Sequence, residues 1–512
     1  MFRIIRRVLL VATCLDAAIA GGPAVAQGWN MYQPYSATVT VPFVSSILNP
    51  GPTGATVALN LPGMANNGQV PFTMDTGSTG IVVTKDHWNP GNLQPVGSGS
   101  ITYNSSGVTN IGQFYLTTVN FRRPDGSLVA SSANVKVLVS ETQITCPPGT
   151  GSCSTNNNPT GVAYMGVGFD RAAAELSQVT PSMNPFLNLS AIGTTQIPAG
   201  TVRQGYIITP TGVILGLTAA NTAGFSFAKL LPNPSTTYPE PWSAAQMAVT
   251  VNGMTANGTV LPDAGIPYMF LKPAAGSITS PLACPPYPGG CAPAGTTISL
   301  ALPSSSAANA AVAQYGFTVG TPSLMGPEQV RLVGEGSIYA NTGRQFFLGL
   351  MYLYDPEGGY VGYSNVPGTS AATAIPAIAL AGSVPLTSGF NNSMMTLLFG
   401  STTLQQTGSG TFSGAIFGNG NDLAVSSGSV AFNNAVNMGG GNFSVQQGAG
   451  ATINSSLTAA IVAVANQATL NNNGLTIGTV ANAGTVNNSG AIVGDFVNSG
   501  LFTNNGTVTG NV

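Results

Sequence analysis

Charge is what this chain most lacks. Only 5% of its 512 residues are Asp, Glu, Lys or Arg, against about a quarter in ordinary soluble domains. Net charge is −2, with no basic run beyond Arg122-Arg123. That excludes nucleic acid as a partner, because phosphate binding needs clustered Lys and Arg. Histidine is nearly absent too. His87, in TKDHWNP, is the only one, and it reads as a surface turn residue with no nucleophile motif to make a Ser-His-Asp site. No apolar run of about 18 residues follows the N-terminal region, so no membrane-spanning helix is expected in the mature chain. Helical signals are few: DRAAAELSQV after Phe169 is the clearest and NAAVAQYG the second.

What fills the chain instead is Gly, 66 in all, with Ser, Thr and Asn. Residues 32–366 alternate short β-branched and aromatic runs (QFYLTTVNF, NVKVLV, GYIITP, MAVTVNGM) with Gly, Pro, Asn and Ser turns. Those are strand and hairpin signals, and the chain is long enough for two or three domains. An all-β, turn-rich extracellular protein is expected.

The first 26 residues read as a secretory leader. Arg3, Arg6 and Arg7 precede VLLVATCLDAAIA, and the small-residue site Ala24-Val25-Ala26 places cleavage before Gln27. Asp16 and the shortness of the apolar stretch argue against a membrane anchor. The expected address is secreted, cell surface or periplasm. Of five cysteines, Cys14 leaves with the leader. Four remain in two local pairs, Cys146 with Cys153 in CPPGTGSC and Cys284 with Cys291 in CPPYPGGC. An even count behind a secretory leader reads as two disulfides rather than a metal site, which would need further ligands.

The composition changes near residue 366. TSAATAIPAIALAGSVPLTSG reads as a linker over 367–400, and from 471 a repeat appears. Gly474, Gly490 and Gly506 stand 16 apart, as do Gly478, Gly494 and Gly510; Asn482 and Asn498 keep the same step. A fixed period with β-branched residues between Asn-Gly turns predicts a β-solenoid over 401–512, since a flexible tail needs no period. The third copy ends without a capping sequence, as in a truncated chain or one that continues.

Most acids read as solvated turn residues, as in RPDGS, DPEGG and GNGND. Two do not. Asp75 lies in FTMDTGSTGIVV and Asp263 in TVLPDAGIPYMFL, each an Asp-x-Gly between apolar strands. A carboxylate so placed is costly unless paired or hydrogen-bonded. Two such acids suggest one site, in which like charges keep both from ionising together. An apolar-apolar-Gly triplet follows each, Tyr164-Met165-Gly166 after the first and Phe347-Leu348-Gly349 after the second. The order implies two homologous halves. A glycosidase also uses two acids, but this duplication is not its pattern.

These segments resemble the pepsin-like aspartic proteases. The DTGS loop at Asp75, the stretch GSITYNSSGVTNIGQFYLTTVNF, the loop GVAYMGVGFDR, the run-up MAVTVNGMTANGTVLPDAG and the closing segment QFFLGLMYLYDPEGGYVGYSN stand in the family's order over about residues 32–366. The resemblance implies a bilobal all-β fold with a central cleft, lobes at 32–210 and 211–366, and a polypeptide substrate hydrolysed by a water held between Asp75 and Asp263. It implies that Tyr103 is the tyrosine of a mobile flap, that Gly77 and Gly265 let backbone N–H groups reach the acids, and that Ser78 adds a hydroxyl to Asp75. It implies too that the Thr76 hydroxyl bonds across the lobe junction to lock the acids in place. No cofactor and no metal is required.

The second loop departs from the pattern. Ala264 stands opposite Thr76, Ile266 opposite Ser78, and Pro262 and Pro267 flank the motif. Val82 replaces the tryptophan that commonly supports the flap tyrosine, with Trp88 as the substitute to test. The alternative function is therefore a catalytically inactive protease-fold module in a binding or adhesion protein. The solenoid resembles the passenger regions of autotransporter-type surface proteins, which implies association with the cell surface.

Overall fold

A computed structural model of the chain describes residues 30–47, 54–64, 70–149, 151–170, 182–234, 242–303, 311–334, 336–386 and 394–512. The expected leader 1–26 and nearly all of DRAAAELSQV lie outside them. Over the described residues the protein is mainly β, with several mixed sheets, one curled half-barrel and a C-terminal β-solenoid of about six turns. No described helix is long and apolar enough to cross a membrane. Of the second helical signal, NAAVAQYG, Asn309 and Ala310 lie outside the described residues, and the rest is not helical: Ala313–Thr318 is a strand paired antiparallel with Thr297–Leu302. Ala313, Tyr315 and Phe317 are buried while Gln314 and Gly316 face out, so a period of two overrides alanine's helical preference.

Two ten-stranded sheets share one wiring pattern around an Asp-x-Gly loop. In the first, Ala163–Val167 lies between the two arms of the loop, parallel to Val70–Asp75 and antiparallel to Thr79–Thr84. The outgoing arm then runs parallel to Leu128–Thr145. In the second sheet, Tyr339–Asn341 lies parallel to Met254–Leu261 and antiparallel to Met269–Lys272, which runs parallel to Val330–Leu332.

The register matches as well. Tyr164 pairs with Thr73 and Val82, two before and seven after Asp75. Asn341 pairs with Leu261 and Phe270, two before and seven after Asp263. The counterpart of Tyr164-Met165-Gly166 is thus Asn341-Thr342-Gly343. The expected counterpart, Phe347-Leu348-Gly349, instead belongs to the short helix Phe346–Gly349. Its apolar character serves packing: Phe346 and Phe347 are fully buried against Tyr352, and Gly349 abuts the Met325 side chain.

A third sheet joins these two and runs on into the solenoid without a break. Val39–Pro42, Tyr206–Thr209, Gly212–Leu215, Leu350–Asp355, Tyr360–Asn365 and Ser226–Lys229 pair in it, and Phe227 pairs parallel with Ile378 of Ala377–Leu386. The stretch 367–400, read above as a linker, therefore carries the solenoid's first strand and part of its second, Met394–Phe412. One apolar core continues from Tyr32, Ile207 and Leu353 through Leu380 and Leu404 to Phe496. The Asn30–Tyr32 turn is fastened to this core. Asp355, the acid of DPEGG read above as a solvated turn residue, is instead fully buried: Tyr32 donates its hydroxyl to it, and it also takes both Nε and Nη2 of Arg203 at 3.0 Å.

Inward rows such as Val462, Val480 and Phe496 stack coil upon coil, each contributing about 1.5–3 kcal/mol by burial. Asparagines form a ladder along the stack, with Asn472 and Asn488 buried. Asn472 donates to Asn488 Oδ1, and Asn488 to Asn504 Oδ1, both at 2.7 Å. The periodic glycines are a steric demand. Gly494 (φ +139°) and Gly510 (φ +150°) each lie on the carbonyl of the glycine one coil back, where a methyl would collide.

Candidate active site

The two Asp-x-Gly loops, one from each ten-stranded sheet, meet at Gly77, Gly265 and Thr76. Asp75 ends its strand and Asp263 follows Leu261 by two residues, and they are 5% and 3% exposed. Each acid is held first by its own loop: Gly77 N–H donates to Asp75 Oδ1 at 2.7 Å and Gly265 N–H to Asp263 Oδ1 at 2.8 Å. Each glycine also abuts the acid from the other loop. A methyl at Gly77 would strike the Asp263 carboxylate, and one at Gly265 the Asp75 carboxylate. The glycines are thus what lets the loops close on one another.

Thr76 crosses between the halves. Its hydroxyl donates to the Pro262 carbonyl at 2.6 Å and accepts the Ala264 N–H at 2.9 Å. Pro262 needs no N–H for this role, because its carbonyl is the partner. Ala264 supplies no reciprocal hydroxyl, so the crossing is made from one side only.

The outer supports differ between the acids. Ser78 Oγ donates to Asp75 Oδ2 at 2.6 Å. At Asp263, where Ile266 offers nothing, Asn341 Nδ2 donates to Oδ2 at 2.6 Å. The amide is oriented by Gly343, whose N–H donates to Asn341 Oδ1 at 3.1 Å. Sequence reasoning missed Asn341. The signal was available only by aligning Asn-Thr-Gly with Tyr-Met-Gly, two triplets alike in their glycine alone.

Burial, then the negative charge of Asp263 and a hydrogen bond with it, pushes the Asp75 carboxyl well above the usual carboxylate range. The bonds from Ser78 and Gly77 pull the other way and are outweighed. The site therefore favours one proton between two acids.

A cavity of about 700 Å³ opens over the pair. Its walls include Tyr103, Val108, Tyr164, Ile266, Tyr268 and Phe270, and among the described residues Asp75 and Asp263 are the only charged side chains in its lining. Tyr103 ends the strand Gly97–Tyr103, just before the hairpin turn into Val108–Arg122. Its ring lies 4.7 Å from that of Tyr164, and it packs on the cluster of Val82, Ile101 and Phe114. Its hydroxyl is buried without a hydrogen-bond partner among the described residues. Burial and then Asp75 raise Tyr103 and Tyr164 well above the usual phenol value, so both stay neutral.

Trp88 does not support Tyr103. It is fully buried, donates Nε1 to the Pro62 carbonyl at 2.9 Å and packs edge-on to Tyr115. Tyr164 and Val82 fill that role instead. His87 stands in a surface turn with Nε2 4.0 Å from Asp86 Oδ2, outside the cavity.

Both disulfides are present, Cys146–Cys153 and Cys284–Cys291. Gly149 of the first loop (φ +75°) lies against the Pro286 carbonyl of the second, so the loops touch between the two sheets. Among the described residues no group of three His, Cys, Asp or Glu side chains converges as a metal site would require.

No protein-family model matches the chain, and no curated protein matches it.

Proposed function

We propose that the chain is a secreted aspartic endopeptidase on a pepsin-like bilobal plan, with a solenoid appended to the sheet that joins its lobes. The observation that carries this reading is the matched wiring around Asp75 and Asp263. Two loops in the same strand register bring two carboxylates into one buried site, each beside the other's glycine. A carboxyl kept protonated beside an ionised one is an acid and a base in contact, which is what hydrolysis of an amide by water needs.

In the reaction, a water between the acids attacks the peptide carbonyl carbon. Its proton passes to the ionised carboxylate, and the protonated acid gives its proton to the carbonyl oxygen. The gem-diol then collapses: the acid that took the water's proton gives it to the amide nitrogen, a gem-diol hydroxyl gives its proton to the other acid as the C–N bond breaks, and the pair again holds one shared proton. Apart from the two acids, the described lining of the cavity carries no charge and is largely apolar and aromatic, which suits a polypeptide whose residues at the scissile bond are uncharged. The hairpin bearing Tyr103 closes over that segment and excludes water. Two disulfides and a leader-like N-terminus favour an oxidising compartment outside the cytosol. The solenoid's likeness to autotransporter passengers supports association with the cell surface.

The test is cleavage of an unfolded protein at acidic pH, with and without pepstatin, beside Asp75→Asn and Asp263→Asn. Pepstatin-sensitive cleavage that falls about 10²–10⁴-fold in each variant is the expected result. Equal turnover in all samples returns the chain to the inactive, binding-module reading.

A further inference from the structure

The two acids are not interchangeable, and the difference lies in what their outer oxygens can accept. Ser78 is a hydroxyl: it donates to a carboxylate, and by turning it accepts from a carboxylic acid. Asn341 presents a carboxamide nitrogen to Asp263 Oδ2 at 2.6 Å. That nitrogen has protons and no available lone pair, so it serves an unprotonated oxygen only. The amide is not free to turn round, because Gly343 N–H already donates to Asn341 Oδ1. Asp263 Oδ1 meets an N–H as well, from Gly265. Both oxygens of Asp263 therefore face N–H donors, whereas Asp75 faces one N–H and one reversible hydroxyl.

Resting on the endopeptidase reading, we propose that Asn341 is a positioning residue that keeps Asp263 the ionised member of the pair and leaves the shared proton on Asp75. Asp263 then takes the proton from the attacking water, and Asp75 protonates the carbonyl oxygen. The raised Asp75 carboxyl agrees with this order. The other titratable groups facing the pair do not compete for the proton. Tyr103 and Tyr164 are held neutral, and Tyr268, pushed up mainly by burial to about 12, is neutral too. The Arg344 guanidinium lies behind the loop, where it borders Gly54 beside the Ala264 carbonyl.

Three variants and one direct observation separate this from a merely structural role. Asn341→Leu keeps the volume and removes the donor. Its pH–rate profile is expected to move its acidic limb upward by about one pH unit, the size of a lost charge-assisted hydrogen bond, with kcat falling and KM little changed. Asn341→Ser restores a reversible donor and is expected to bring the limb most of the way back. Asn341→Asp adds a third acid and is expected to split the profile. An Asn341→Leu variant that only unfolds more easily, its acidic limb unmoved, overturns the proposal. Neutron diffraction from the full chain at acidic pH locates the shared deuteron without any assay. The deuteron is expected on Asp75, and a deuteron on Asp263 overturns the proposal whatever the variants do. A wild-type chain that cleaves nothing sinks the peptidase reading separately, since the neutron result still reports where the proton sits.

Discussion

Thr76 bonds Pro262 across the junction of the two sheets, its hydroxyl 2.6 Å from the proline carbonyl while it accepts the N–H of Ala264. A single side chain thus satisfies two buried backbone groups of the opposite loop. Thr76→Val keeps the shape and loses both bonds. Leaving two buried groups unpaired is expected to cost about 2–4 kcal/mol in urea unfolding and to lower peptide cleavage by letting the acids drift. Unchanged stability would show that the loops are held by packing instead.

The raised Asp75 carboxyl has a consequence for stability. The folded chain keeps this proton to a higher pH than the unfolded chain does. Its contribution is therefore full below the ordinary carboxyl range and is lost as pH climbs from about 4 through the raised value. Urea midpoints of the wild type should fall over that interval, and Asp75→Asn, which cannot ionise, should flatten the fall. Parallel pH curves would contradict the assignment.

Tyr103 offers a test that separates packing from function. Its hydroxyl has no partner among the described residues, so Tyr103→Phe is expected to leave stability unchanged or slightly higher. If the hydroxyl meets the bound polypeptide, the same variant lowers kcat/KM about tenfold, the worth of one hydrogen bond at the upper end of the usual range.

Arg203 and Asp355 form a fork-to-fork pair on a fully buried carboxylate. Removing one partner leaves an uncompensated charge. Arg203→Met is expected to destabilise the chain by about 3–5 kcal/mol and to loosen the Asn30–Tyr32 turn, read as faster amide exchange there.

The asparagine ladder should behave independently of the site. Asn488→Leu breaks the bonds from Asn472 and to Asn504, which is expected to cost about 2–4 kcal/mol. Cleavage by the chain that remains folded should not change, because no ladder residue lines the cavity.

The two acids were legible in the sequence because charge is so scarce. A carboxylate between apolar strands stands out when few others exist, and Asp75 and Asp263 carry the same Asp-x-Gly on the same flanks. The last solenoid coils were legible for a related reason, since a glycine pressed on the carbonyl one coil back tolerates no other residue. The earlier coils were not. Ser429 pairs with Gly450 and Gly450 with Thr469, steps of 21 and 19 residues, before the step settles at 16 from Thr469 to Thr485. Variable corners hide a regular stack. Asn341 was illegible because its tie to Asp263 spans 78 residues and depends on strand register. The apolar triplet that the sequence offers in its place, Phe347-Leu348-Gly349, owes its apolar character to the packing of the short helix Phe346–Gly349.

Whether Asp75 and Asp263 act as one catalytic unit is decided by a double-mutant cycle on peptide cleavage. Initial rates on one unfolded substrate at acidic pH are measured for the wild type, Asp75→Asn, Asp263→Asn and the double variant. Residues that act together are non-additive, so the double variant should be no slower than either single one. Losses that multiply, or single variants that cleave at the wild-type rate, would contradict the account.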